Sequence, residues 1–258
     1  MISSPPALQL YTLREVLPTG RTGVLRRVAE FGYGAVEPYD VLTDPEQLRA
    51  DLDEAGLAVC SVHANILGDD GEALLGGVVT VGGGTVIVPW APPERWADAE
   101  GIAGLAKELN EGAVKAADHG LRLGYHNHDF ELSSIIGGRP GLEVLVDALD
   151  PAVILEVDTY WAAVGGQDVP ALLGRLGDRV RYLHVKDGPI GTREGDVMTA
   201  VGSGRMPVAD ILASCPSAEW HVVELDRCAT DMLTAVGDSL AWLAEHDLAR
   251  PVHRGADA

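Results

Sequence analysis

Eight short apolar runs, each separated from the next by a stretch of helical period, restrict the folds open to this sequence more than any other feature. The predicted strands lie at 7–11, 35–37, 58–63, 85–88, 121–127, 153–157, 180–185 and 220–224. Most are apolar at successive positions rather than alternate ones, the pattern of parallel strands covered on both faces. Helical periodicity places helices at 22–31, 45–55, 96–118, 141–149, 169–176, 208–213 and 232–244, with the weakest signal at 71–75. Asp44 and Asp168 stand at N-cap positions, and Gly56 and Gly120 stand where a left-handed C′ residue is wanted. No linker or repeat divides the chain. Eight βα units in 258 residues match a single-domain α/β (β/α)8 TIM barrel over 1–249, followed by a frayed tail over 250–258. A doubly wound sheet would need a glycine-rich turn after a strand, whereas Gly82-Gly83-Gly84 precedes one.

Charge narrows the partners. Nineteen basic residues against 39 acidic ones leave a net charge of −20 with no basic run, which opposes binding to nucleic acid. The longest apolar stretches, such as 77–89, are broken by glycines and fall short of the roughly 20 residues that cross a bilayer, so no membrane span is expected. No basic segment followed by an apolar one opens the sequence, and the cytoplasm is the expected compartment. Cys60, Cys215 and Cys228 form no C-x-x-C pair and read as reduced packing residues.

In such a barrel the active site lies at the C-terminal strand ends. Strand two ends in Glu37, strand three in His63, strand five in the run Tyr125-His126-Asn127-His128-Asp129-Phe130-Glu131, strand six in Asp158, strand seven in His184 and strand eight in Glu224; Gln9 and Tyr11 close strand one and Trp90 follows strand four. Carboxylates gathered at one mouth repel one another unless a cation offsets them. The expected cofactor is therefore one divalent metal ion, Mn, Co, Mg, Fe or Zn, since carboxylate and imidazole donors without cysteine exclude a sulfur-rich site. His119, His221, His246 and His253 read as structural or surface residues.

These segments resemble the xylose-isomerase-like superfamily of sugar phosphate isomerases and epimerases, which includes inosose dehydratase and the family-two apurinic endonucleases. The resemblance is carried by LQLYTLRE (8–15), VEPYD (36–40), YHNHDFE (125–131), EVDTYW (156–161), HVKD (184–187), GSGRMPVADIL (202–212) and VVELD (222–226). It implies one divalent ion held by an acidic residue on each of strands five, six and eight and a His on strand seven; Asp158, His184 and Glu224 take three of these places. Simple register sets Tyr125 at the strand-five place. Glu131 reaching back would complete the shell, with His128 or a water as the alternative.

The resemblance also implies proton transfer at a carbon next to a carbonyl, in a small carbohydrate substrate. Glu224 or Glu131 would act as base on one side, His126 or His128 on the other, and Lys186 would return to the mouth by strand alternation to contact a substrate oxygen. Glu37, His63, Trp90, Trp161 and Arg205 are the remaining candidate substrate contacts. The leading expectation is a metal-dependent isomerase or epimerase of a sugar, ketose or cyclitol acting through an enediolate. The alternatives are a dehydratase or 3-keto-glycoside lyase, in which the same intermediate expels a β-substituent, and a sugar-binding barrel without turnover. The endonuclease branch conflicts with the charge of −20. A homodimer or homotetramer is expected from the family.

Overall fold

A computed structural model describes residues 6–191 and 197–252. All eight predicted strands are present: β1 (Ala7–Gln9), β2 (Ala35–Glu37), β3 in two pieces (Ala58–Val59 and Val62–His63), β4 (Thr85–Val88), β5 (Arg122–His126), β6 (Ile154–Asp158), β7 (Val180–Val185) and β8 (Trp220–Val223). Every pairing among them is parallel, in the order β3-β2-β1-β8-β7-β6-β5-β4-β3. The ring closes because β3 changes partner midway: Ala58 and Val59 register with β2, and Val62 and His63 with β4. β1 stops at Gln9, earlier than the sequence suggests, because the Gln9 side chain accepts from the Tyr11 amide at 2.9 Å and turns the chain into a short 3₁₀ segment.

Around the ring lie α1 (Leu17–Phe31), α2 (Pro45–Ala55), α3 (Gly71–Thr80), α4 (Ala99–Asp118), α5 (Gly141–Ala148), α6 (Val169–Leu176), α7 (Val208–Ala213) and α8 (Met232–Glu245). α3 runs on to Thr80 through Gly76 and Gly77, residues that weaken the helical signal of the sequence. Gly77 has a packing reason: a Cβ there would collide with the Val41 carbonyl of the loop after β2. Asp168 caps α6 by accepting from the Ala171 amide at 3.1 Å, and Gly56 and Gly120 adopt positive φ as expected. Asp44 does not cap α2; its carboxylate lies 4.0 Å from Arg21 instead. At the C-terminal end the Val252 amide donates to the Gly32 carbonyl at 2.8 Å, and the rest of the expected tail, His253 included, lies outside the described residues.

The apolar interior is two clusters. The larger fills the space between strands and helices. The smaller, Ala7, Ala35, Cys60, Ile154, Tyr182 and Val222, lies inside the ring. Successive side chains of a strand point to opposite faces, so residues two positions further along these strands also point inward, one layer higher. On β1, β2, β6, β7 and β8 those residues are Gln9, Glu37, Glu156, His184 and Glu224. A polar layer therefore rests directly on an apolar floor.

Below that floor an ionic cluster closes the opposite end of the barrel. Arg122 holds Glu219 with two hydrogen bonds of 3.0 and 2.8 Å, Arg181 adds two more at 2.8 and 2.6 Å, and Arg122 also reaches Thr85 and Tyr182. Arg122, with Arg181, holds the Glu219 carboxyl down at about 2, below its ordinary 4.5. Its stabilisation is thus complete above pH 4.5 and is lost as the pH falls toward 2. Glu219→Gln is expected to cost about 1–2 kcal/mol at neutral pH, allowing for partial solvent screening. In urea unfolding that difference should shrink to a few tenths near pH 2; a gap independent of pH would refute the assignment.

Candidate active site

Strand alternation, applied one layer higher still, accounts for the mouth. β6 contributes Glu156 and Asp158, β7 contributes His184 and then Lys186, and the end of β8 contributes Glu224 and then Asp226. On β5 the inward residues are Gly124 and His126; a Cβ at Gly124 would meet Ile87 and Ile154 at 2.5 and 3.0 Å, so the floor has no room for a larger residue.

Two overlapping groups of side chains have ligand atoms within 4.8 Å of one another: His126, Asp158, His184 and Glu224 on the mouth side, and His63, His126, Glu156 and His184 one layer deeper. All are buried. His184 lies at the junction, with Nδ1 2.7 Å from Glu224 and Nε2 2.8 Å from Glu37 and 3.1 Å from Glu156. His126 is arranged likewise, with Nδ1 3.0 Å from Glu156 and Nε2 3.8 Å from Asp158. Glu156 also binds His63 Nε2 at 2.6 Å, while Glu37 accepts from Gln9 at 2.6 Å and Ser61 at 2.5 Å. Lys186 points into the mouth, with Nζ 2.9 Å from Asp158, 2.7 Å from Glu224 and 2.8 Å from Asp226.

These contacts set the charge states. Burial alone would lower the His184 and His63 imidazoles, but carboxylates raise both: Glu156, Glu224 and Glu37 act on His184, Glu37 and Glu156 on His63. His126 goes the other way, with burial holding it well below the ordinary imidazole value. Burial disfavours charge on Glu224, yet Lys186 and His184 hold it well below the usual carboxylate range; Asp158 is raised by burial. Lys186 is held ammonium by Asp158, Asp226 and Glu224 in spite of its burial.

The mouth-side group suits a divalent cation. It offers two imidazole nitrogens and two carboxylates, a donor set for borderline and hard first-row ions. Asp158 Oδ2, buried and close to Lys186, has no aligned hydrogen bond, which leaves a lone pair facing the group.

The expected strand-five ligand is placed differently. Glu131 does not reach the group; its carboxylate accepts from the Tyr125 hydroxyl at 3.1 Å and the His128 amide at 2.8 Å. Tyr125 points away from the barrel axis and packs on Trp96, because it has the opposite strand parity to His126. On strand five it is His126, one residue after Tyr125, whose ring nitrogen lies with the mouth-side group. Glu37 sits beneath the mouth rather than in it. Glu156, absent from the sequence-level candidates, was detectable as a carboxylate two residues before Asp158 on one strand.

A cavity of about 390 Å³ opens over the site, lined among others by His63, His126, His128, Lys186, Glu224 and Asp226, with Tyr11, Tyr39 and Trp90 toward the rim. Trp161 is buried, 5.7 Å from the Lys186 ammonium, and does not line the cavity. Arg205 does not line it either: its loop is wound around Asp187, which accepts from the amides of Gly188, Gly202, Gly204 and Met206, and the Arg205 side chain is exposed. Asp187 is thus bound to this loop and not to Lys186. Of the other histidines, His119 pairs with Glu72, His246 stacks on Trp242, and burial pushes His221 down to about 4.

Residues 25–246 match the xylose isomerase-like TIM barrel family. The chain belongs to that family. An inosose dehydratase of Geobacillus kaustophilus is 29% identical over 191 residues, covering 64% of this chain and 61% of that enzyme, so the matched part spans about three fifths of the relative's length. Among solved structures, a sugar phosphate isomerase/epimerase from Parabacteroides distasonis superposes with a TM-score of 0.83 at 20% identity over 96% of this chain and 100% of that one. The IolI protein, solved with a bound zinc atom, superposes with a TM-score of 0.68 at 14% identity over 94% and 97%. These two likenesses concern the fold. Among the described residues no helix is long and apolar enough to cross a membrane.

Proposed function

We propose that this barrel is a metal-dependent lyase that eliminates water or a β-linked group from a keto-cyclitol or keto-sugar. The observation that carries this reading is the one-sidedness of the cavity. Its carboxylates, Glu224 and Asp226, come from β8, while His63, His126 and His128 come from the β3 and β5 side. Epimerisation through two carboxylate bases needs one on each face of the reacting carbon, and Glu131, the other carboxylate considered as a base, is turned into Tyr125 and the His128 amide. An elimination needs one base and one acid. The dehydratase relative supports the same choice.

His126, Asp158, His184 and Glu224 would hold the ion, which when bound supplies Lewis acidity toward substrate oxygens and offsets the carboxylate charge. Glu224 faces the cavity and takes the proton from the carbon next to the carbonyl. Lys186, fixed by three carboxylates, donates a hydrogen bond to the oxygen on which negative charge develops. As the carbon–carbon double bond forms, the carbon–oxygen bond to the β-substituent breaks, its electron pair leaves on the oxygen, and His128 donates a proton to that oxygen. Trp90 and Tyr11 flank the outer end of the substrate. The small-molecule substrate, the cytoplasmic setting and a homo-oligomeric state complete the proposal.

Mass spectrometry of products from a panel of keto-inositols and 3-keto-glycosides, with Mn²⁺, Co²⁺ or Zn²⁺ supplied, tests it. Loss of water or of the aglycone is expected. Conversion at constant mass would make the protein an isomerase, and no conversion with any ion would favour a binding barrel.

A further inference from the structure

His126 and His184 share an arrangement that the proposed activity leaves unexplained: each imidazole presents one ring nitrogen to the mouth and the other to the layer beneath. Below, His126 Nδ1 is 3.0 Å and His184 Nε2 3.1 Å from the same Glu156 oxygen, and His184 Nε2 is also 2.8 Å from Glu37. Above, His184 Nδ1 is 2.7 Å from Glu224, and His126 Nε2 is 3.8 Å from Asp158. A neutral imidazole carries its proton on one nitrogen and a lone pair on the other, so whichever nitrogen is tied to a carboxylate decides which is free to bind an ion.

We propose that Glu156 is a positioning residue that holds both imidazoles from below, so that His126 ligates a divalent ion through Nε2 and His184 through Nδ1. This rests on the reading that the mouth-side group is the ion site. Charge distribution favours that side. At the mouth, the three carboxylates of Asp158, Glu224 and Asp226 surround a single ammonium, Lys186. In the deeper layer Glu37 and Glu156 already face three imidazoles, and Glu37 accepts further bonds from Gln9 and Ser61. The competing arrangement is an ion one layer down, held by His63, His126, Glu156 and His184. It would use the opposite ring nitrogen of both shared histidines, and Glu156 Oε1, buried without a hydrogen-bond partner, makes it the alternative to test against.

The nitrogens can be observed directly. In the full chain labelled with ¹⁵N-histidine and loaded with Zn²⁺, two-bond proton–nitrogen correlation spectra are expected to show His126 protonated at Nδ1 and His184 at Nε2, each with its other nitrogen ligating. A Co²⁺ titration of the metal-stripped protein, followed by visible absorption, is expected to show about one ion per chain, bound about 10–100-fold more weakly by Glu156→Gln. Thermal melts check that this variant is folded; if it does not fold, the wild-type spectra still decide. The reverse nitrogen pattern, or unchanged Co²⁺ affinity in a folded Glu156→Gln protein, overturns the inference while leaving an ion site in place. A wild-type protein that takes up neither ion overturns the underlying reading as well.

Discussion

Glu224→Gln is expected to remain folded, to lose most of its affinity for Co²⁺ and to lower turnover by about three orders of magnitude. The substitution keeps the shape of the side chain and removes only its charge, so the packing of the end of β8 is retained. Two roles are lost together. Glu224 is one of the two carboxylates of the mouth-side group, it lines the cavity, and in the proposed elimination it accepts the substrate proton. Stabilising a developing oxyanion with a metal ion is worth several kcal/mol, and each 1.36 kcal/mol is a factor of ten in rate, which sets the size of the loss. The contacts 2.7 Å from His184 and 2.7 Å from Lys186 become weaker, uncharged ones. Elemental analysis after dialysis, steady-state kinetics and a thermal melt would be read together. Wild-type ion content with wild-type turnover would remove Glu224 from the site. A protein that melts far below wild type would make the residue structural.

The fold was legible because it depends on periodicities that need no distant information: short apolar runs alternating with helical stretches, and caps such as Asp168, Gly56 and Gly120 beside them. Differences arose where tertiary contact overrode local pattern, as where Gly77 lets α3 approach Val41, or where the Gln9 side chain ends β1 early. The site was legible at the strand ends and less so within the strands. Asp158, His184 and Glu224 stand out because a charged residue closing an apolar strand is unusual. Glu156 did not, since a strand-internal carboxylate carries no mark of its own in one sequence. Parity supplies the missing information: with Ile154 in the barrel floor, Glu156 and Asp158 must both face inward. The same rule turns Tyr125 outward and His126 inward, so that on strand five it is His126, one position after Tyr125, that joins the mouth-side group.

Lys186→Met should move metal affinity in the opposite direction from Glu224→Gln, and this separates the two residues' roles. The ammonium and a divalent ion compete for the same carboxylates: Asp158 and Glu224 lie 2.9 and 2.7 Å from Nζ and also belong to the ion group. Removing the ammonium leaves Asp158, Glu224 and Asp226 without their shared partner. Breaking a buried ion pair in this way costs about 3–5 kcal/mol, and Asp226, whose side chain is 26% exposed and can be hydrated, places the expected loss at the lower end. For a domain of this size that corresponds to a fall in melting temperature of about 6–12 °C in the metal-stripped protein. Those carboxylates then attract a divalent cation more strongly, so Co²⁺ should bind more tightly to Lys186→Met than to wild type and recover much of the lost stability, because a ligand that binds only the folded state stabilises it in proportion to the logarithm of its saturation ratio. Turnover should not recover, since the proposed reaction needs that ammonium to meet the substrate oxygen. Calorimetric melts with and without Co²⁺, paired with the titration, distinguish this from an orienting role. A Lys186→Met protein that binds Co²⁺ more weakly than wild type would show that the ammonium arranges the carboxylates for the ion instead of competing with it.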